Sequence, residues 1–322
     1  MVVRESIFRD ILRLFVWFPL RWAILILPVR LGILILATMG DIHRLLSRNK
    51  KEVLAENLLN INSSGDGCYI RGAIKEYYRN HYIDRLFIFI FPRFAGREVK
   101  KFVEIEGLEN LDSAIEKGKG AILVHGHFGP VHLPLVALAR LGYPMKQIGL
   151  PSDEGLSWTG KNVAFRLRLK YEAKIPAEII KADAFLRPAF RWLKSGGAVM
   201  ITGDGTGTET RVGRHGEFRF FGQRVYFPLG PALLAQKTGA TLLPMFVLPG
   251  IKMPYRIIIG GPLGGGGAEK VTAQFVKQLE DYVSKAPGYM HFLDRFRPGM
   301  MIGDVEDRPG EGGEEKAGGP ER

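Results

Sequence analysis

Hydrophobic positions change their pattern twice along the chain. Residues 14–39, LFVWFPLRWAILILPVRLGILILATM, are nearly continuous in apolar character. Residues 42–62 and 69–92 then read as helices, the second carrying Tyr69, Ile70, Ile74, Tyr77, Tyr78, Tyr82, Leu86 and Ile90 at mostly three- and four-residue spacing. From Phe102 the pattern becomes short apolar runs closed mostly by glycine: FVEIEG, AILVHG, MKQIGL, AVMITG, TLLPMFVL and YRIIIG. Helical stretches at 108–116, 130–141, 160–171, 184–194, 228–238 and 268–284 lie between them. This alternation predicts an α/β fold with a mixed central sheet flanked by helices. The organisation follows: a hydrophobic helical membrane-anchoring segment at 1–41, a helical cap at 42–100, an α/β domain at 101–300, and a tail at 301–322.

The N-terminal run does not read as a clean span. Arg21, Arg30, Pro19 and Pro28 cut it, and no uncharged stretch exceeds ten residues, whereas a spanning helix needs about 18 or more. An arginine at the bilayer centre costs about 2.5–3.5 kcal/mol, but in a helix lying in the headgroup plane it reaches phosphate. A monotopic anchor is therefore expected, with Phe15, Trp17, Phe18 and Trp22 at the interface and Arg4, Arg13, Arg21 and Arg30 facing anionic lipid.

Charge sharpens this picture. The 322 residues carry +12, and because the last 20 hold seven acids against three bases, the remainder carries +16. Such an excess calls for an acidic partner. The tail is rich in Gly, Glu and Pro and is expected to be disordered. Cys68 is the single cysteine, which excludes an intrachain disulfide and a zinc site built on two cysteines, and fits a reducing compartment. The four glycines at 264–267 read as a surface loop.

Three of seven histidines fall within eight residues, in AILVHGHFGPVHLPL, just after a buried-strand run. Polar groups at such a strand end face the crevice where α/β sheets place their chemistry. His127 can remove a proton from a hydroxyl, since an imidazole titrates near working pH. Gly126 and Gly129 permit close backbone approach, and Pro130 suits a first helical turn, so amides near Gly129 are candidate donors to an oxyanion. A metal reading of His125-x-His127 fits poorly: Gly129 stands where a binuclear hydrolase needs Asp, and only His215 and His291 lie downstream. No metal or other cofactor is expected.

A second informative stretch runs from AVMITGDGTGTET through FFGQRVYFPLGPALLAQKTGATLLP. It lacks GxxxxGK[ST], and its glycines open no helix as a dinucleotide fingerprint does. Here the chain resembles the lipid A biosynthesis (lauroyl/myristoyl) acyltransferases, a branch of the glycerolipid and lysophospholipid acyltransferases, over roughly residues 10–297. FFG before the Pro-Leu-Gly helix entry, HFGPVH, Asp204 at its strand end and the segment from Ala286 to Arg297 carry the resemblance.

The resemblance implies transfer of an acyl chain from an acyl carrier protein or acyl-CoA thioester to a hydroxyl of a lipid acceptor, at the cytoplasmic face of the inner membrane. His127 matches the catalytic base and Asp204 the strand-end acid. Either Arg166 or Arg168 matches the arginine between the motifs. Gly129, Phe221, Gly222 and Arg224 join them as substrate-binding candidates, and Arg211, Arg214 and Arg219 extend the basic group. The chain departs from the family at His132, where a carboxylate is usual. His132 then orients His127, or Asp204, Asp153 or Glu154 supplies the acid, or the chemistry has been lost and a lipid-binding scaffold remains. A nucleic-acid partner is disfavoured, because no binding motif accompanies the charge.

Overall fold

The computed structural model describes residues 7–93, 96–149, 153, 155–182, 186–205 and 213–296. Arg4, Glu154, Arg211 and the tail at 301–322 lie outside the described residues.

Three helices open the described chain: α1 (Ile7–Phe15), α2 (Arg21–Ile26) and α3 (Val29–Leu46). A π-helical turn, Val16–Leu20, joins the first two around Pro19, which cannot donate an amide to a regular helix. No described helix is long and apolar enough to cross a membrane. The apolar side chains of this segment divide instead: Trp17, Leu20, Ile24 and Leu36 enter the core, while Phe8, Phe15, Phe18 and Trp22 face outward.

Two of the expected interface residues therefore turn inward. Trp17 packs edge-on against Phe89 at 4.9 Å. Arg21 is buried, its Nε donating to the Trp17 carbonyl at 2.8 Å and its guanidinium to the Tyr171 hydroxyl. Burial lowers its pKa, and the Trp22 ring lies 4.5 Å away, so this arginine braces the fold.

The cap follows as α4 (Asn49–Ile61) and α5 (Gly67–Leu86); α3 runs unbroken across residue 41. Asp66 starts α5 by accepting the Tyr69 amide at 2.7 Å. The helix expected to reach residue 92 stops at Leu86, and two 3₁₀ turns bury Phe87, Phe89 and Phe91 before α6 (Gly96–Phe102).

The α/β body runs β1 (Val103–Glu106), α7 (Leu108–Glu116), β2 (Ala121–His125), α8 (Leu133–Arg140), β3 (Met145–Gly149), α9 (Arg166–Glu172) and β4 (Glu178–Lys181). It continues through α10 (Arg187–Lys194), β5 (Ala198–Thr202), β6 (His215–Phe220), β7 (Gln223–Pro228), α11 (Gly230–Thr238), β8 (Thr241–Pro249), β9 (Tyr255–Ile259) and α12 (Ala268–Lys285). Seven strands form one sheet in the order β1-β9-β8-β2-β5-β3-β4. Its pairs are parallel except β8 with β9, so the sheet is mixed, as expected.

Two elements were not legible. β4 is a four-residue edge strand with one buried side chain. β6 and β7 form a separate hairpin in a stretch where no strand was expected. Its two-residue turn, Phe221-Gly222, has φ of 49° and 73°, the positive values that match the twist of a tight hairpin.

Strand alternation sends side chains to two cores. Ala121 and Leu123 of β2 join one, with α8; Ile122 and Val124 join the other, with α11 and α12. The helix after β2 and the next helix after β5 thus cover opposite faces, although these strands are neighbours. Chain paths diverge there, at the carboxyl ends of β2 and β5, which is where open α/β sheets place a binding crevice.

Candidate active site

Both ends of that crevice carry candidate groups. His127 follows β2 by two residues and Asp204 follows β5 by two, and the register His125↔Thr202 brings the two ends level. Asp204 is buried. Its Oδ2 accepts the His127 backbone amide at 2.6 Å and its Oδ1 faces His127 Nδ1 at 2.8 Å. A Cβ at Gly126 would stand 3.1 Å from Asp204 Oδ2, so the glycine leaves room for this double contact.

The carboxylate can only accept, so Nδ1 carries the proton and Nε2 keeps a free lone pair. Burial lowers the His127 pKa, but the charge of Asp204, its hydrogen bond and the charge of Asp84 outweigh it, and the net shift is upward. His125 differs: burial brings it down to about 4, and its Nδ1 donates to the Gly126 carbonyl at 3.0 Å. It stays neutral and spends its proton on the backbone.

The His127 loop is clamped by the segment after α12. His291 N donates to the His127 carbonyl at 2.9 Å, and Gly129 N to the Tyr289 carbonyl at 2.8 Å. His291 Nε2 donates to the Gly129 carbonyl at 2.6 Å. The Phe292 ring lies 4.8 Å from the imidazole, edge to face. The cap holds this segment in turn: Asn57 Nδ2 donates to the Leu293 carbonyl at 2.6 Å, Tyr77 to Asp294 Oδ1 at 2.7 Å, and Lys50 pairs with Asp294 at 2.8 Å.

From α5, Asp84 Oδ1 accepts the Val131 amide at 2.8 Å. The sequence reading missed Asp84, Asn57, Tyr77 and His291 as supports. The usable signal was polar groups on helix faces otherwise apolar, which tertiary partners must satisfy.

The other predicted residues sort by position. His132 caps α8 and makes no hydrogen bond with His127; burial keeps its pKa low, Glu172 opposing and Arg168 adding to that effect. Both arginines are exposed on α9, but Arg168 Nε pairs with buried Glu172 at 2.7 Å, and Arg168 is the one whose charge reaches His132. Gly129 has φ 68°, and its own amide donates to the Tyr289 carbonyl. Asp153 pairs with Lys161 at 2.9 Å.

The hairpin residues bond within the hairpin and to α12. The Phe221 amide donates to Glu280, Gly222 completes the turn, and exposed Arg224 pairs with Glu217 at 3.0 Å. Arg219 Nη1 donates to the Gly222 carbonyl at 3.3 Å, so Arg219, Gly222 and Arg224 bond within the hairpin while Phe221 ties it to α12.

Arg85 was not anticipated. It is solvent-accessible, yet burial is the main cause lowering its pKa, with Arg295 and Arg168 contributing. Arg85, Arg168 and Arg295 thus share one basic neighbourhood. Arg295 Cζ is 5.8 Å from the Phe292 ring, and that ring in turn lies against His127.

The chain's sequence matches that of a known family. The model of the bacterial lipid A biosynthesis acyltransferase family matches residues 6–298. Among similar curated proteins are phosphatidylinositol mannoside acyltransferases of Mycobacterium tuberculosis, from strains CDC 1551 / Oshkosh and ATCC 25618 / H37Rv. Each is 29% identical over 221 residues, which is 64% of this chain and 64% of the relative. The match thus spans just under two thirds of their length.

Proposed function

Because this chain belongs to the bacterial lipid A biosynthesis acyltransferase family, we propose that it transfers a fatty acyl chain from a thioester of acyl carrier protein or coenzyme A to a hydroxyl of an anionic glycolipid. The observation that carries this reading is the His127–Asp204 pair at the sheet's crevice. Nε2 of His127 takes the proton of the acceptor hydroxyl as its oxygen attacks the thioester carbonyl. The C–S bond then breaks, and the imidazolium returns its proton to the departing thiolate. Asp204 holds the tautomer and stabilises the imidazolium, in the manner of the acid in a serine-protease triad. No covalent acyl-enzyme and no cofactor enters this scheme.

The basic group of Arg85, Arg168 and Arg295 suits an anionic headgroup through charge-assisted hydrogen bonds. A lipid A precursor and a phosphatidylinositol mannoside both present phosphate near sugar hydroxyls, and the relatives' name favours testing the second beside the first. The outward apolar face of α1 and α2, with exposed Arg30, supports docking on an anionic membrane surface. On this reading the protein works at the inner membrane, with its catalytic domain in the cytoplasm.

The test is transfer of labelled acyl groups from acyl carrier protein and from acyl-CoA to each acceptor, using detergent-purified wild type and His127→Ala. Transfer abolished by the substitution supports the enzyme and names its substrates. Lipid binding without transfer from either donor, indifferent to His127→Ala, would replace it with the scaffold reading.

A further inference from the structure

His127 is not served by Asp204 alone. The helix α5 carries Asp84 to the far side of the histidine loop, where Oδ1 accepts the Val131 amide at 2.8 Å. Its Oδ2 stands 3.9 Å from His291 Nε2, whose proton is directed to the Gly129 carbonyl at 2.6 Å. Among the described residues no lysine or arginine forms an ion pair with Asp84, although Arg85 adjoins it in sequence. A half-buried carboxylate, close enough to Arg85 for their charges to interact, thus stands beside the loop that bears the base.

We infer that Asp84 is a positioning residue that fixes the His127 loop through Val131 and provides a second negative charge stabilising the His127 imidazolium, a charge that neutral His132 cannot provide. The inference rests on the acyl-transfer reading for its effect on rate, but its electrostatic part concerns His127 alone. Charges around the imidazole come from every packed element. Asp204 follows β5, Asp84 and Arg85 sit on α5, His125 and His132 flank the loop, Glu172 and Arg168 come from α9, Tyr255 from β9, and His291 and Arg295 from the closing segment. Of the carboxylates, Asp204 and Asp84 are the two whose charge raises His127. Asp84 also opposes the burial that holds His132 low.

Asp84→Asn separates the roles, because the amide oxygen can still accept from Val131 while the charge is gone. Titration of His127 by NMR in the full chain with isotope-labelled histidine reads the electrostatics without any substrate. The expected result is a His127 midpoint moved to lower pH. In the transfer assay kcat falls about tenfold with KM within about twofold. Adding His132→Glu to Asp84→Asn returns a carboxylate within electrostatic reach of His127 and recovers at least half of the loss.

A His127 midpoint unmoved by Asp84→Asn overturns the inference, whatever happens to activity. So does a fall in kcat that accompanies a lowered Tm and gains nothing from His132→Glu, since that marks a purely structural residue. A wild type that transfers no acyl group defeats the enzyme reading instead, and the titration still decides for or against Asp84.

Discussion

Asp204 grips His127 twice, taking the backbone amide on Oδ2 at 2.6 Å and the ring Nδ1–H on Oδ1 at 2.8 Å. One side chain therefore sets both where the imidazole stands and which nitrogen is free. Asp204→Asn offers an amide in place of one acceptor and removes the charge facing Nδ1. By analogy with neutralising a triad aspartate, kcat should fall on the order of 10³- to 10⁴-fold. A loss smaller than about tenfold in steady-state transfer would show that another group orients the base.

The same pair predicts a pH profile. The working form of His127 is neutral, so transfer is lost as pH falls through its pKa, and that pKa lies above the ordinary 6.5 because Asp204 and Asp84 overcome burial. The acid limb of kcat/KM should accordingly centre above 6.5. In Asp204→Asn the residual activity should keep its limb at lower pH than wild type. A wild-type limb below 6.5 would mean that burial wins.

Much of this site was legible because strands ending in glycine are easy to see. The runs closing at His125-Gly126 and Thr202-Gly203 located His127 and Asp204 separately. Their contact was not legible, since it joins residues far apart in sequence through the β2–β5 register. Spacing instead drew attention to His132, five residues from His127, but the turn at Gly129 and Pro130 sends it toward Glu172 and Arg168. The hairpin escaped notice because Phe221 occupies a turn position where Asn, Asp or Gly is the usual signal. Trp17 and Arg21 read as membrane-facing because composition cannot show which side of an amphipathic helix meets the core.

Gly129 tests the clamp on the loop. Its φ of 68° and the Val247 carbonyl, 2.8 Å from where a Cβ would lie, leave no room for a side chain. Gly129→Ala should cost about 1–3 kcal/mol in stability and should loosen the contacts to Tyr289 and His291. Thermal unfolding together with kcat reads both; an unchanged Tm would show that the turn relaxes without strain.

Arg168 and Arg166 are separable. Arg168 pairs with Glu172, which is 4% exposed, and its charge reaches His132. Arg168→Ala should raise KM for a phosphorylated acceptor about tenfold or more, the scale of one charge-assisted hydrogen bond. Arg166→Ala should leave it within about twofold. Equal effects from the two substitutions would argue for a diffuse basic surface rather than a specific contact.

The two sides of the N-terminal helices should fail in different ways. Trp17 is 8% exposed and packed on Phe89, so Trp17→Ala should destabilise the fold by about 3–5 kcal/mol through the cavity it leaves. Phe8 and Phe15 are 73% and 51% exposed and have no such role. Each buried phenylalanine contributes about 1.5–3 kcal/mol on leaving water, so Phe8→Asp with Phe15→Asp should weaken binding to anionic vesicles by about a hundredfold or more while leaving Tm near wild type. Co-sedimentation with vesicles containing phosphatidylglycerol, set beside thermal unfolding, separates the cases. If the double variant still sediments, the bilayer is not held by this face, and the exposed phenylalanines must be covered by something other than lipid.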